Sequence, residues 1–133
     1  MTIKKTYKLF IGGKFPRTES GRVLDVRGKA GELLAHASWA SRKDFREAVV
    51  AARKASGGWG KASAYLKGQI LYRIAEMLEG RRAQFVVELV AHGISKERAE
   101  KDVSEAINLL VHYAGWSDKY QALFSSANPV ASS

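Results

Sequence analysis

Hydrophobic and polar positions follow two periods along this chain, and the change between them divides it. Over residues 7–35 the period is short. Leu9-Phe10-Ile11 and Lys14-Phe15 flank Gly12-Gly13, a two-residue loop that supplies the positive φ angles of a tight hairpin. Ser20-Gly21 marks a second turn, and Arg22-Val23-Leu24-Asp25-Val26 alternates polar with apolar. Gly28 and Gly31 punctuate the next loop, and Leu33 to Ala40 reads as a third strand despite its alanines.

From Ser41 the period becomes helical. Ser41 and Asp44 form a capping pair, followed by Phe45, Ala48, Val49 and Ala52 on one face. Ser56-Gly57-Gly58 is read as the end of that first helix, with Trp59 anchoring the loop. A second helix is expected from about Ala62 to Glu79, carrying Leu66, Ile70, Ile74, Met77 and Leu78, with Gly80 as its stop. A third spans Gln84 to His92, with Gly93 behind it. Ser95 caps a fourth, where Ala99, Val103, Ala106, Ile107, Leu110, Tyr113 and Ala114 keep helical spacing as far as Leu123 or Phe124. The expected organisation is strands over about 7–40, helices over about 41–124 and a tail at 125–133. Ala127-Asn128-Pro129-Val130-Ala131 in that tail reads as a connection onward. Two or three short strands make a poor sheet alone, so a helix covers them or further strands come from elsewhere.

Composition narrows the function classes. The chain has 133 residues and no cysteine, which excludes disulfides and thiol chemistry within it. No apolar run approaches a bilayer span and no signal-type segment follows Lys4, Lys5 and Lys8, so a cytoplasmic protein without membrane partners is expected. The net charge is +9, and residues 1–30 carry eight Lys and Arg against Glu19 and Asp25. We read that basic run as strand-edge lysines that oppose edge pairing, so nucleic acid is not the expected partner; a basic helical module for nucleic acid is the alternative it leaves open.

No catalytic constellation emerges. His36, His92 and His112 are isolated from one another and from other ligand types at metal spacing. Gly57-Gly58-Trp59-Gly60 follows a helix and not a strand, so it does not read as a phosphate cradle. Glu97, Glu100, Asp102 and Glu105 lie among Lys96, Arg98 and Lys101 as a solvated face with intrahelical ion pairs. Trp116 and Tyr120, four apart, read as packing residues. No residue is assigned a catalytic, cofactor-binding or metal-binding role.

Leu9-Phe10-Ile11-Gly12-Gly13-Lys14-Phe15, Gly58-Trp59, Ile70-Leu71-Tyr72-Arg73-Ile74-Ala75-Glu76-Met77-Leu78-Glu79 and Tyr113-Ala114-Gly115-Trp116 come in a characteristic order. In order and spacing the chain resembles the N-terminal part of the aldehyde dehydrogenase family, from about Leu9 to Ser117. Two departures are Arg27-Gly28-Lys29-Ala30-Gly31, where the family usually has Asn-Pro-x-x-Gly, and Ala91-His92-Gly93-Ile94, where it often has Asp-Thr-Gly-Lys.

The resemblance implies an α/β fold of which residues 1–133 form part of the cofactor-binding domain, and a parent oxidoreductase. Such an enzyme converts an aldehyde to an acid or acyl thioester with NAD or NADP, through a cysteine thiolate. It implies too that the catalytic and cofactor-binding groups lie downstream of the matched region. The isolated chain is therefore expected to be inactive and to bind no cofactor, with aldehyde a partner only of a complete enzyme. A homo-oligomer, or docking to the remaining aldehyde dehydrogenase segments, is expected; a free-standing docking module is the alternative.

Overall fold

The computed structural model describes residues 3–124. Its elements are β1 (Thr6–Tyr7), β2 (Val23–Arg27), β3 (Leu33–Ser38), α1 (Arg42–Lys61), α2 (Ala64–Gly80), α3 (Arg82–Ala91) and α4 (Lys96–Phe124). They fall into two compact units: residues 1–61 with 91–93, and residues 62–90 with 94–133. The tail at 125–133 and the side chain of Tyr120 lie outside what is described.

In the first unit three strands pair in the order β1-β3-β2. The β2–β3 pair is antiparallel, with Asp25 opposite His36 and a register shift at Val26/Arg27. The β1–β3 pair is parallel, with Thr6 opposite His36. Ser38 Oγ ties β3 to β1 again by donating to the Tyr7 carbonyl at 2.6 Å. The alanines of β3 are accommodated because it is the central strand, where Ala35 is the buried residue.

The glycine hairpin forms as its sequence predicts. Gly12 and Gly13 have φ of 60° and 76°, and Ile11 and Lys14 exchange both backbone hydrogen bonds at 3.0 and 3.1 Å. One pair outward, the Phe10 and Phe15 rings meet with centroids 5.2 Å apart. The three-stranded sheet is built from other residues: Thr6–Tyr7, just before the hairpin, enters it.

α1 differs from its sequence reading. It does not stop at Ser56-Gly57-Gly58 but continues to Lys61, so Trp59 sits on a helix and not in a loop. Gly57, Gly58 and Gly60 are absent from the positive-φ glycines, which is what ending a helix at glycine requires. Each glycine costs a helix about 1 kcal/mol relative to alanine, which weakens it without breaking it. The face expected to pack through Phe45 and Val49 stays largely in water.

The second unit is built on α2 and α4, the most extensively packed pair of elements in the chain. Ser63 caps α2 by accepting from the Leu66 N–H at 3.1 Å, and Ser95 caps α4 through the Arg98 N–H at 3.2 Å. α2 runs through Gly80 rather than stopping before it. α3 ends where Gly93 takes φ +97° and the Ile94 N–H reaches back to the Leu89 carbonyl, a Schellman closure. Ile94 and Leu89 then pack on Val86, Ala99 and Val103, with Leu78 and Ile107 around them. α4 has 29 residues, close to the expected length, and three positions of its expected stripe are buried: Ala99, Val103 and Ala114.

Small residues set how closely α2 and α4 approach. Ala75 and Ala114 are both buried. At Gly68 a Cβ would fall 2.9 Å from the Ala114 carbonyl oxygen and 2.5 Å from Ser117 Oγ. The crossing is possible because position 68 has no side chain.

Candidate functional site

The densest polar arrangement lies in the first unit, at the start of α1. Asp44 is buried, and its carboxylate accepts from the Ser41 N–H at 2.8 Å, from Thr18 Oγ1 and from the Glu19 N–H at 3.3 Å. Ser41 Oγ returns the bond by accepting from the Asp44 N–H at 3.1 Å, which completes the capping pair read from the sequence. The segment after the hairpin is thereby fastened to α1 by Thr18 and Glu19, which local patterning could not have shown. Ser20 Oγ extends the link by donating to the Trp39 carbonyl at 2.6 Å.

These donors, led by the Ser41 N–H and Thr18 Oγ1, hold the Asp44 carboxyl down at about 2 from its ordinary 3.8. Because the folded value lies below the unfolded one, Asp44 stabilises the fold above about pH 4 and ceases to do so as pH falls to about 2. Asp44→Asn should lower the melting temperature at neutral pH and flatten its fall over that acid window. Thermal melts of both proteins from pH 7 to 2 check this; parallel curves would refute it.

This arrangement is structural and not chemical. Asp44 places a carboxylate at the N-terminus of α1 and takes up local donors, so that terminus is closed to a phosphate. The β3–α1 connection, Trp39-Ala40-Ser41, holds no glycine, and Gly57, Gly58 and Gly60 are inside α1. Among the described residues there is thus no strand–glycine turn–helix cradle that fits a dinucleotide.

His36 and His92 belong to the first unit and His112 to the second. His36 Nδ1 lies 3.1 Å from Asp25 Oδ1 across the β2–β3 pair. His112 stacks against Tyr113 and Trp116, and His92 is exposed where α3 ends. Among the described residues no three His, Cys, Asp or Glu converge as metal ligands. Acidic residues on α4 are engaged as read from the sequence: Asp102 with Arg98 at 2.7 Å and Glu105 with Lys101 at 3.7 Å. Arg82 forks onto Glu79 and reaches Ser104 Oγ at 2.8 Å, and Glu79 is held below the usual carboxylate range by that guanidinium.

What the molecule does offer is surface. Among the described residues no large side chain is fully buried, and four of the six buried apolar residues are alanines. On the second unit Leu66, Ile74 and Met77 of α2 stand half-exposed. On the same unit Leu71, Ala106, Leu109, Leu110 and Tyr113 line an open apolar groove of about 570 Å³. On the first unit the hairpin shows Phe10 and Phe15, and α1 shows Phe45. Patches of this extent are uncommon on a self-sufficient monomer. Isolated, the chain should self-associate or bind a dye that reports apolar surface. Light scattering and dye fluorescence check this, and a sharply melting, strictly monomeric species that leaves the dye dark would contradict it.

Comparison with known proteins gives these surfaces a context. Residues 16–131 match the sequence model described as the aldehyde dehydrogenase family. The chain is 35% identical over 126 residues to cytosolic 10-formyltetrahydrofolate dehydrogenase of Xenopus tropicalis, covering 91% of this chain and 14% of that protein. It is 36% identical over 124 residues to mitochondrial benzaldehyde dehydrogenase of Antirrhinum majus, covering 87% of this chain and 23% of that one. Among solved structures, the NAD-dependent benzaldehyde dehydrogenase of Corynebacterium glutamicum superposes with a TM-score of 0.80 at 28% identity, over 84% of this chain and 25% of that one. The NAD-dependent aldehyde dehydrogenase of Sinorhizobium meliloti gives 0.79 at 26% identity, over 85% and 24%. The chain therefore spans a quarter or less of each of these relatives.

Proposed function

From the premise that the chain belongs to the aldehyde dehydrogenase family, we propose that it serves as the N-terminal segment of an NAD(P)-dependent aldehyde dehydrogenase. In this role it is a docking piece that completes the fold and contributes no reacting group. One observation carries the reading. The segment folds into its family shape, yet among the described residues no large side chain is fully buried, so its half-exposed faces are those a larger body would cover. Burial is worth about 25 cal/mol per Å² of apolar area, so covering a few such side chains adds several kcal/mol to association. The thiolate, the glutamate that activates water, and the dinucleotide site would come from the body it docks on. The assembled enzyme would oxidise an aldehyde to an acid or acyl thioester, as a dimer or tetramer.

The test is complementation. A family member deleted for the stretch equivalent to residues 16–131 is purified alone and together with this chain. The two should co-purify, and aldehyde-dependent NAD reduction should return in the mixture only. Failure to co-purify, or recovery with an unrelated helical protein, would sink the reading.

A further inference from the structure

We propose that the first unit carries a binding site for single-stranded nucleic acid on its strand region. The unit boundary exposes an uneven division of charge. Residues 1–61 hold fourteen Lys and Arg against five Asp and Glu, which is the whole net charge of +9; the second unit holds eight of each and is neutral. All fourteen cations are exposed. Among the described residues two of them are in ion pairs within the first unit, Arg27 with Asp25 and Lys43 with Glu19. Edge protection of a three-stranded sheet needs a lysine or two, not this excess.

Two further observations give the charge a form. A groove of about 390 Å³ lies on this unit, lined by Lys8 and Arg17 with the hydroxyl residues Thr6, Thr18 and Ser38 and no acidic residue. The two cations suit a phosphodiester, while Thr18 and Ser38 are already committed as donors to Asp44 and to the Tyr7 carbonyl. Beside these cations in the chain, flat rings face solvent: Phe10 and Phe15 are 68% and 67% exposed on the hairpin. Tyr7 lies under Lys5 Nζ at 4.5 Å and Trp39 under the Arg22 guanidinium at 4.6 Å, so each half-exposed ring has a cation against it. Cations tracking a backbone with rings for unpaired bases are the two ingredients of sequence-tolerant single-strand binding. A duplex presents phosphates but hides its base faces, and an acidic protein surface has no use for the rings. The site uses only the first unit's own residues, but Phe10 and Phe15 are also among the apolar side chains that docking would cover, so it is open to nucleic acid in the undocked chain.

The test is fluorescence anisotropy of a labelled oligothymidylate dodecamer, and of its RNA counterpart, titrated with the whole chain. Saturable binding is expected. If Lys8, Lys14, Arg17 and Arg22 engage phosphates, affinity should fall by about 50-fold between 50 and 200 mM salt. Lys8→Glu with Arg17→Glu should weaken binding at least tenfold, and Phe10→Ala with Phe15→Ala should do so with a smaller change in the salt slope. Arg73→Glu with Lys101→Glu, on the neutral unit, should leave it unchanged. Circular dichroism of each variant establishes that it is folded. Equal affinity for duplex or for polyglutamate, indifference to the ring substitutions in a folded variant, or no saturation at 50 mM salt would each overturn the proposal.

Discussion

Purified alone, the chain should oxidise no aldehyde. Across a panel of aliphatic and aromatic aldehydes, reduction of NAD or NADP should stay at the rate of a mock purification. The reason is chemical: the family's reaction runs through a thiolate that forms a thiohemiacetal and then a thioester, and this sequence contains no cysteine. No substitute is at hand. His36 faces Asp25 across the sheet, and His112 packs against Tyr113 and Trp116. Enzymes accelerate their reactions by at least about a million-fold over solution, so losing the whole catalytic set should take the rate below detection. Turnover that tracks the chain through purification would refute this.

The largest effect on stability is expected at position 68. In α2, Gly68→Ala would gain up to about 1 kcal/mol of helix propensity. Against that, its Cβ would lie 2.9 Å from the Ala114 carbonyl and 2.5 Å from Ser117 Oγ, and overpacking of this kind costs roughly 1–3 kcal/mol. The backbone oxygen decides the sign, because it cannot swing aside as a hydroxyl can. Gly68→Ala should be modestly destabilising, whereas Gly68→Leu should force α2 and α4 apart and remove the unit's melting transition. Ser117→Ala should not rescue either variant, since the carbonyl contact remains. Urea melts followed by helical ellipticity read this directly, and a Gly68→Leu protein as stable as the parent would show that the crossing is looser than these distances.

Legibility followed the range of the interaction. The hairpin at Gly12-Gly13, the Ser41–Asp44 pair and the stop at Gly93 were readable because each is settled within four or five residues. α4 was readable over its length because 3.6-residue spacing repeats through it. The parallel pairing of Thr6 with His36 and the bond from Thr18 to Asp44 join residues 30 and 26 apart, and no local pattern announces them. α1 was cut short because glycine was read as a stop, when it ends a helix only by turning left-handed. As for the surfaces, the basic run was plain in the sequence. That it belongs to one unit while the other is neutral required the boundary at Lys61.

The alanine-built interior also sets how the protein responds to temperature. The heat-capacity increment of unfolding comes from apolar surface newly wetted. An ordinary domain of this length gains about 1.6–2.0 kcal/mol/K. Here the buried apolar set is Ala35, Ala75, Val86, Ala99, Val103 and Ala114, while Phe10, Phe15, Tyr65 and Val87 are already mostly in water. Less remains to be wetted, so the increment is smaller and the curve of free energy against temperature is flatter. The missing increment belongs to association: a body that covers these faces should bind with a large negative heat-capacity change, visible by calorimetry at two temperatures.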